Sequence, residues 1–314
     1  MSLPVSVIIP TLNCREKLER HLESSRHWLP KVGQIIAIDS QSTDGTYELL
    51  KQKLTYDNAR IISAEKGLYR CWNQGISLAL QPYVYISTVG DIITPEGLVQ
   101  LHQWSENLRL DVMISTPTIV DQTGHHMDKF WPIHLIKETL PSDGTPLVMP
   151  SEQLSYATTC FAPSSILGSS ASNLYRTDLL KTKPFPEHTG PIGDVIWSIK
   201  YLPHLRAALS RTSFSTFTWD GDRTKSWNQQ SDELDAMIEA ISSCNSDEAD
   251  PLYFSRLVAL NVIQQKRTLC SEISDLRNWL DSIMKSKFNR WKIKHFDSLS
   301  VRKLLRTLIA NKNK

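Results

Sequence analysis

The chain has 314 residues and a formal net charge of +2, enough for one large domain or a domain with an appendage. An apolar share of 40% excludes global disorder, and the near-neutral charge argues against nucleic acid as the main partner. Five scattered cysteines, an odd number with no CxxC pair, exclude a disulfide framework and a zinc site and fit a reducing compartment.

Residues 3–115 alternate strand and helix. Apolar runs predict strands at Val5–Ile9, Gln34–Asp39, Ala59–Ala64, Tyr83–Ser87 and Asp111–Ser115. Runs that are apolar throughout belong to strands covered on both faces, as in parallel sheets. Helices are expected near Arg15–Ser25, Thr43–Lys53, Tyr69–Leu80 and Pro95–Trp104. Ser42 or Thr43 suits the cap of the second, and Thr94 that of the fourth, with Pro95 in a first turn where its missing N–H costs nothing. The third reads as amphipathic, with Leu68, Cys71, Ile76 and Leu80 inward. This alternation implies right-handed crossovers and an α/β fold with a mostly parallel sheet flanked by helices. Residues 116–220 read as irregular, with loops at Pro141–Pro146 and Lys183–Gly193, a short helix at Asp194–Leu202 and an edge or returning strand at Arg211–Thr218. From Ser231 the pattern is helical. Leu269, Ile273, Leu276, Leu280 and Ile283 form one apolar stripe, which packs on the body of the chain or on a second copy in a homodimer. The expected division is 1–230, with halves 1–115 and 116–230, followed by a helical extension, 231–314.

Two acids stand where strands end. Asp39 opens the turn Asp39-Ser-Gln-Ser-Thr-Asp-Gly-Thr, and Asp91 follows Thr88-Val89-Gly90. Both are thereby placed at the carboxyl edge of one sheet, where open α/β sheets bind ligands. Asp39 either accepts an N–H from a nucleobase or closes an Asx-turn. Asp91 either holds Mg²⁺ or Mn²⁺ already bridged by phosphates, since such ions need only one or two protein carboxylates, or caps the next helix, for which it lies slightly early. Gly67 and Asn73, with Arg70, suit the floor under a diphosphate. Asp194, after a Pro/Gly loop, is either a general base within reach of an acceptor hydroxyl or an acid favoured by a helix dipole. His188 lies on that loop. In Phe217–Trp227, Arg223 and Lys225 suit phosphates while Trp219 or Trp227 suits a sugar face, or the stretch is a surface turn. His125 and His126 are adjacent and cannot easily ligate one ion from a strand; a structural or exposed role is expected.

The N-terminal MSLPVSVIIP does not read as a secretory signal, and no segment approaches the ~18 apolar residues of a membrane span. From Lys285 onward ten Lys and Arg side chains face one acid, Asp297. Val301, Leu304, Leu305, Leu308 and Ile309 lie on one helical face. Residues 285–314 either rest on anionic lipid or dock on the protein with a solvated basic face. The expected location is cytoplasmic, with the inner face of the cytoplasmic membrane as the peripheral option.

At these residues the chain resembles glycosyltransferase family 2, inverting enzymes of GT-A fold. VSVIIPTLN is similar to the family's opening strand, and IDSQSTDGT to its VDDGSTDGT turn. EKGLYRCWNQGI resembles KGIYDAMNKGI, and STVGDIITPEGL resembles LNSGDxxxPxxL, of members that build bacterial surface polysaccharides. Thr88 and Gly90 replace acids of the DXD element, and Trp72 stands where many relatives carry Arg. The resemblance implies a nucleotide site of Pro10, Thr11, Asn13, Asp39, Ser40, Gly67, Arg70 and Asn73. It implies a donor sugar and diphosphate site of Thr88, Val89, Gly90, Asp91, Arg223 and Lys225, with Asp91 as metal ligand for Mg²⁺ or Mn²⁺. Asp194 falls at the position of the base, with His188, Trp197 and Trp219 on the acceptor side. The implied partners are a nucleoside-diphosphate sugar and a saccharide or lipid-linked saccharide acceptor. A non-catalytic nucleotide-sugar-binding scaffold on the same fold is the alternative. A nucleotidyltransferase is disfavoured, because Asn13-Cys-Arg-Glu-Lys lacks a glycine-rich phosphate loop.

Overall fold

The computed structural model describes residues 2–127, 131–159, 164–219, 227–243 and 260–268 except 262 and 266. The first half runs β1 (Leu3–Thr11), α1 (Arg15–Ser25), β2 (Val32–Asp39), α2 (Thr46–Lys53), β3 (Ala59–Ser63), α3 (Leu68–Leu78) and β4 (Tyr83–Ile86). It continues through β5 (Ile92–Ile93), α4 (Pro95–Leu108), β6 (Val112–Ser115) and β7 (Thr118–Val120). Then follow α5 (Pro132–Ile136), β8 (Leu147–Val148), α6 (Ser151–Thr159), β9 (Asn173–Arg176), α7 (Thr177–Thr182), α8 (Gly193–Tyr201), β10 (Ala207–Ser210), β11 (Ser215–Thr218) and α9 (Trp227–Ser242).

The main sheet has the order β3-β2-β1-β4-β9-β6-β10-β8, and a small sheet has the order β5-β11-β7. β1 pairs in parallel with both β2 and β4, so the chain winds one way and then the other from β1. Such a reversal opens a crevice outside the carboxyl ends of the strands. β9 and β8 are antiparallel to their neighbours. Side chains alternate across the sheet. Val5, Val7 and Ile9 enter one core with Leu18, Leu49 and Leu101, whereas Ile8 enters the other with Ile38, Ile76 and Trp197. Both faces are buried, which explains why β1 and β2 are mostly apolar; the polar pair inside them, Ser6 and Gln34, is bonded to itself across the strands at 2.7 Å.

Helix α1 spans the expected residues, and Thr94 caps α4 by accepting the Gly97 N–H at 3.0 Å. Three expectations are corrected. Helix α2 starts at Thr46 behind Gly45, whose φ is +86°, rather than at Thr43. Ser42 is diverted from capping because its N–H and hydroxyl both donate to Asp39, while the Asp44 carboxylate accepts from Thr46. On α3 the inward residues are Tyr69, Cys71, Trp72, Gly75 and Ile76, whereas Leu68 is 49% and Leu80 81% exposed. The helix ends at Leu78, so its phase does not reach Leu80. A Cβ at Gly75 would meet Ile8 at 2.6 Å, so α3 lies unusually close to the sheet. Finally, residues 116–219 are not mainly irregular, because β9 and β10 sit inside the main sheet. Each is only four residues long, too short for a periodic signal.

Helix α9 spans the expected boundary at 230/231 and packs on α8 through Leu234, Met237 and Ala240, together with Ile263. The apolar stripe from Leu269 and the basic segment from Lys285 lie outside the described residues.

Candidate active site

At the carboxyl edge beside β1, Asp39 ends β2 and is buried, only 1% exposed. The parallel register sets Thr11 opposite it. Its Oδ1 accepts from the Thr11 hydroxyl at 3.1 Å and the Ser42 hydroxyl at 2.5 Å, and its Oδ2 accepts the Ser42 N–H at 2.8 Å. An ionised carboxylate offers about four acceptor positions, so the turn leaves one. Asn13, with φ +44°, ties the end of β1 to this turn: its N–H donates to the Ser42 hydroxyl and its Oδ1 accepts the Thr43 N–H. The Ser40 hydroxyl lies 2.8 Å from the Cys71 thiol, which joins the turn to α3.

Two residues before Cys71 on α3, Tyr69 donates to Asp194 Oδ1 at 2.8 Å. Asp194 occupies the first turn of α8. A Cβ at the preceding Gly193 would lie 2.5 Å from the Tyr69 ring, so only glycine lets α8 approach this closely. Asp194 keeps some solvent exposure, yet protein crowds most of its carboxyl. Burial pushes its pKa up, against the opposing hydrogen bonds of Tyr69, the Val195 N–H and Ser165.

The third acid, Asp91, closes a tight turn in which its N–H donates to the Thr88 carbonyl at 3.1 Å. Gly90 holds φ +105° at the third position of that turn, where a side chain is strained. The Ser169 hydroxyl donates to Asp91 Oδ2 at 2.9 Å, and the Thr88 and Ser170 hydroxyls lie 2.5 Å apart. From α1, the buried His21 Nε2 meets the Ser87 hydroxyl at 2.9 Å; burial pushes its pKa down to about 4, so the imidazole is neutral. The segment 164–170 therefore touches two acids, Asp194 through Ser165 and Asp91 through Ser169. Side-chain contacts thus join the Asp39 turn to α3 through Ser40 and Cys71, α3 to Asp194 through Tyr69, and the segment 164–170 to both Asp194 and Asp91.

Other expected site residues have different placements. Arg70 pairs with Glu65 and Glu187. Asn73 Nδ2 donates to the Phe185 carbonyl at 2.7 Å and its Oδ1 accepts the Phe185 N–H at 3.0 Å, so it braces the loop before α8. Gly67 begins α3 with φ +151°. Pro10 is half-buried, and Val89 packs against the core that holds Val7 and Ile9. His188 is exposed on the loop. Trp197 is corrected: it is fully buried, donates to the Lys183 carbonyl and packs on Phe185, so it meets no acceptor. Trp219 extends the small sheet, its N–H donating to the Val120 carbonyl. Arg223 and Lys225 lie outside the described residues. His125 is exposed beside Asp121, as expected.

Sequence reasoning missed Tyr69, Ser165, Ser169 and His21. Tyr69, Trp72 and Ile76 stand at i, i+3 and i+7, and Leu18, His21, Leu22 and Ser25 at i, i+3, i+4 and i+7, so both inward faces carried a periodic signal. Ser165 and Ser169 sit in an aperiodic loop with no such signal.

Among the described residues no group of three or more His, Cys, Asp or Glu is arranged to hold a metal ion. Around Asp91 the donors are carboxylate and hydroxyl oxygens, a set suited to a hard ion. With one carboxylate it fits an ion that draws most of its ligands from a diphosphate and water.

The sequence model described as glycosyl transferase family 2 matches residues 6–163, half of the chain. The chain belongs to glycosyl transferase family 2. This glycosyltransferase resembles S. aureus TarS residues 1–349 in complex with UDP-GlcNAc, at 17% identity and a TM-score of 0.59, over 84% of this chain and 72% of that one. It also resembles the mannosyltransferase PcManGT from Pyrobaculum calidifontis in complex with GDP-Man and Mn²⁺, at 14% identity and a TM-score of 0.54, over 93% and 84% of the two chains. At such identities the likeness is one of fold, and it supports the GT-A assignment. No curated protein sequence matches the chain.

Proposed function

We propose that this family 2 glycosyltransferase moves a sugar from a nucleoside diphosphate to a saccharide or lipid-linked saccharide, with inversion, in the synthesis of a cell-surface polysaccharide. The observation that carries the proposal is the placement of Asp39 at the end of β2 and of Asp91 just past β4, on either side of β1 where the sheet reverses, with the segment 164–170 bonded to both Asp91 and Asp194. The resemblance to TarS in complex with UDP-GlcNAc and to PcManGT in complex with GDP-Man supports a nucleotide-sugar donor.

In this reading the remaining acceptor position of Asp39 takes an N–H of the base, and Thr11 and Asn13 hold the turn that presents it. Asp91, with the Thr88 and Ser169 hydroxyls, faces the diphosphate and would hold Mg²⁺ or Mn²⁺. When bound, the ion would offset negative charge building on the departing diphosphate. Asp194 takes the acceptor's proton as its oxygen attacks the anomeric carbon opposite the leaving group. One displacement inverts configuration. Burial suits Asp194 to this work, because a carboxylate raised above its ordinary pKa is a better base. Among the described residues no helix is long and apolar enough to cross a membrane. Peripheral contact through residues 285–314 remains part of the proposal.

Thermal denaturation with UDP, GDP and their sugars, each with and without Mn²⁺, tests the donor class. A nucleotide at a hundredfold excess over its Kd adds about 2.7 kcal/mol, several degrees in Tm for a domain of this size. No shift with any nucleoside diphosphate would sink the donor reading. Binding without hydrolysis or transfer in any acceptor screen would favour the scaffold alternative.

A further inference from the structure

The Tyr69 hydroxyl has two acceptors in reach, Asp194 Oδ1 at 2.8 Å and the Pro191 carbonyl at 3.0 Å. A phenol has one hydrogen to donate, so it serves one of them fully at a time. The ring itself is fixed. It stacks on Phe185 at 5.8 Å, meets Trp72 edge-on at 5.1 Å, and lies against the glycine that opens α8. Only the O–H bond is left to rotate. Burial, reinforced by the charge of Asp194, holds the phenol far on its protonated side, so it is a donor throughout the neutral range.

We propose that Tyr69 is the positioning residue of the base, a two-position donor that points to Asp194 while that carboxylate is ionised and turns to the Pro191 carbonyl once the carboxyl has taken the acceptor's proton. The inference rests on the reading of Asp194 as base. Its physical ground is the relative strength of the two hydrogen bonds. A bond to a carboxylate is about twice as strong as one between neutral groups, so the anion holds the hydroxyl. A neutral carboxyl loses that advantage, and the amide carbonyl 3.0 Å away takes over. During the transfer the acceptor O–H bond breaks and one forms on Asp194. The Tyr69 O–H bond stays intact and only rotates, so no further reagent is needed. The titratable groups facing Asp194 among the described residues are Tyr69 from α3 and Tyr175 from β9. The Tyr175 hydroxyl accepts from Asn173 at 3.2 Å, so it serves as the control.

The test is an NMR titration of the full chain carrying ¹³C at Asp Cγ and Tyr Cζ. Asp194→Asn identifies the Asp194 signal, and Tyr69→Phe, which keeps the ring packing, identifies Tyr69. The Tyr69 Cζ shift should follow the Asp194 midpoint. In Tyr69→Phe that midpoint should rise by about one pH unit, the value of one hydrogen bond to a charged group, while Tyr175→Phe leaves it in place. A Tyr69 signal that stays flat through the Asp194 titration, or a midpoint unmoved in Tyr69→Phe, would overturn this inference alone. If Tyr69→Phe folds poorly, Tyr69 Cζ is assigned in the wild-type chain through its own backbone resonances, and the coupling of the two signals still tests the inference. Wild-type turnover in Asp194→Asn would remove the base reading, and this inference with it.

Discussion

The two walls of the crevice are built by different means. On the Asp39 side the partners are near: Ser42 is three residues on, and Thr11 faces Asp39 from the adjoining strand. On the Asp194 side they are remote in sequence. Tyr69 lies 125 residues away, and the Asn73 brace on Phe185 spans 112. The first wall is complete as soon as β1 and β2 pair. The second forms only when the loop before α8 closes onto α3. The near wall depends on local bonds, whereas the remote wall ties the base to the packing of α3 against the loop before α8. The buried cluster of Tyr69, Trp72, Phe185, Tyr175 and Trp197 is the hinge pin of that second wall.

The largest effect is expected at Asp194. Asp194→Asn removes the base while keeping an Oδ1 that accepts from Tyr69. Turnover should fall about 10²- to 10⁴-fold, with donor affinity retained. The same substitution has a stability signature. The folded-state pKa of Asp194 is raised by burial, so the stability it contributes is complete below the ordinary carboxylate pKa and is lost as pH rises through the raised one. Asn carries no such loss. Urea melts at neutral pH should show the variant at least as stable as wild type, and the acid limb of wild-type turnover should lie above the ordinary carboxylate range. A variant that is inactive because it unfolds would show the opposite.

Much of the first wall was legible in the sequence, because its signals are local. Apolar-rich runs mark β1, β2 and β4, and the acids that follow them mark Asp39 and Asp91 at the sheet edge. The second wall was legible only in part. Asp194 stands out in the sequence at a helix start, but nothing near it names Tyr69, Ser165 or Ser169 as partners. Asn73 and Arg70 carry side chains that suit phosphate, yet the loop before α8 engages both. Trp197 suits a sugar face equally well, and only tertiary packing shows it enclosed by Phe185 and Tyr175. Side-chain chemistry was readable at each position. Which surface it faces was not, wherever remote packing decides.

A smaller effect is expected at Asp39. In Asp39→Asn the oxygen can stay toward the Ser42 N–H, and the new amide can donate to the Thr11 and Ser42 hydroxyls, which rotate to accept. The turn should therefore hold, and the loss should fall on the ligand. Losing one hydrogen bond to a charged acceptor costs about 1.5–3 kcal/mol, roughly 10- to 100-fold in nucleotide Kd by calorimetry. An unchanged Kd with an unchanged melt would exclude Asp39 from the nucleotide site and leave it as a turn residue.

The smallest effect is expected at Asn73, and it bears most directly on the contrast between the walls. Asn73→Ala unpairs the N–H and C=O of Phe185 and the Glu187 carboxylate that Asn73 also meets. Glu187 keeps Arg70, and the aromatic cluster still holds Phe185, so the loop should loosen without leaving α3. A stability loss of about 1–3 kcal/mol follows from the unpaired backbone groups. Because the brace serves only the remote wall, the kinetic damage should be lopsided. Turnover should fall while nucleotide Kd stays near wild type, since among the described residues the hydrogen bonds of Asp39, Thr11 and Asn13 run to the turn and its own strands. Equal losses in both would mean that the two walls move together, and that the closeness of α3 to the sheet at Gly75 carries strain from one acid to the other.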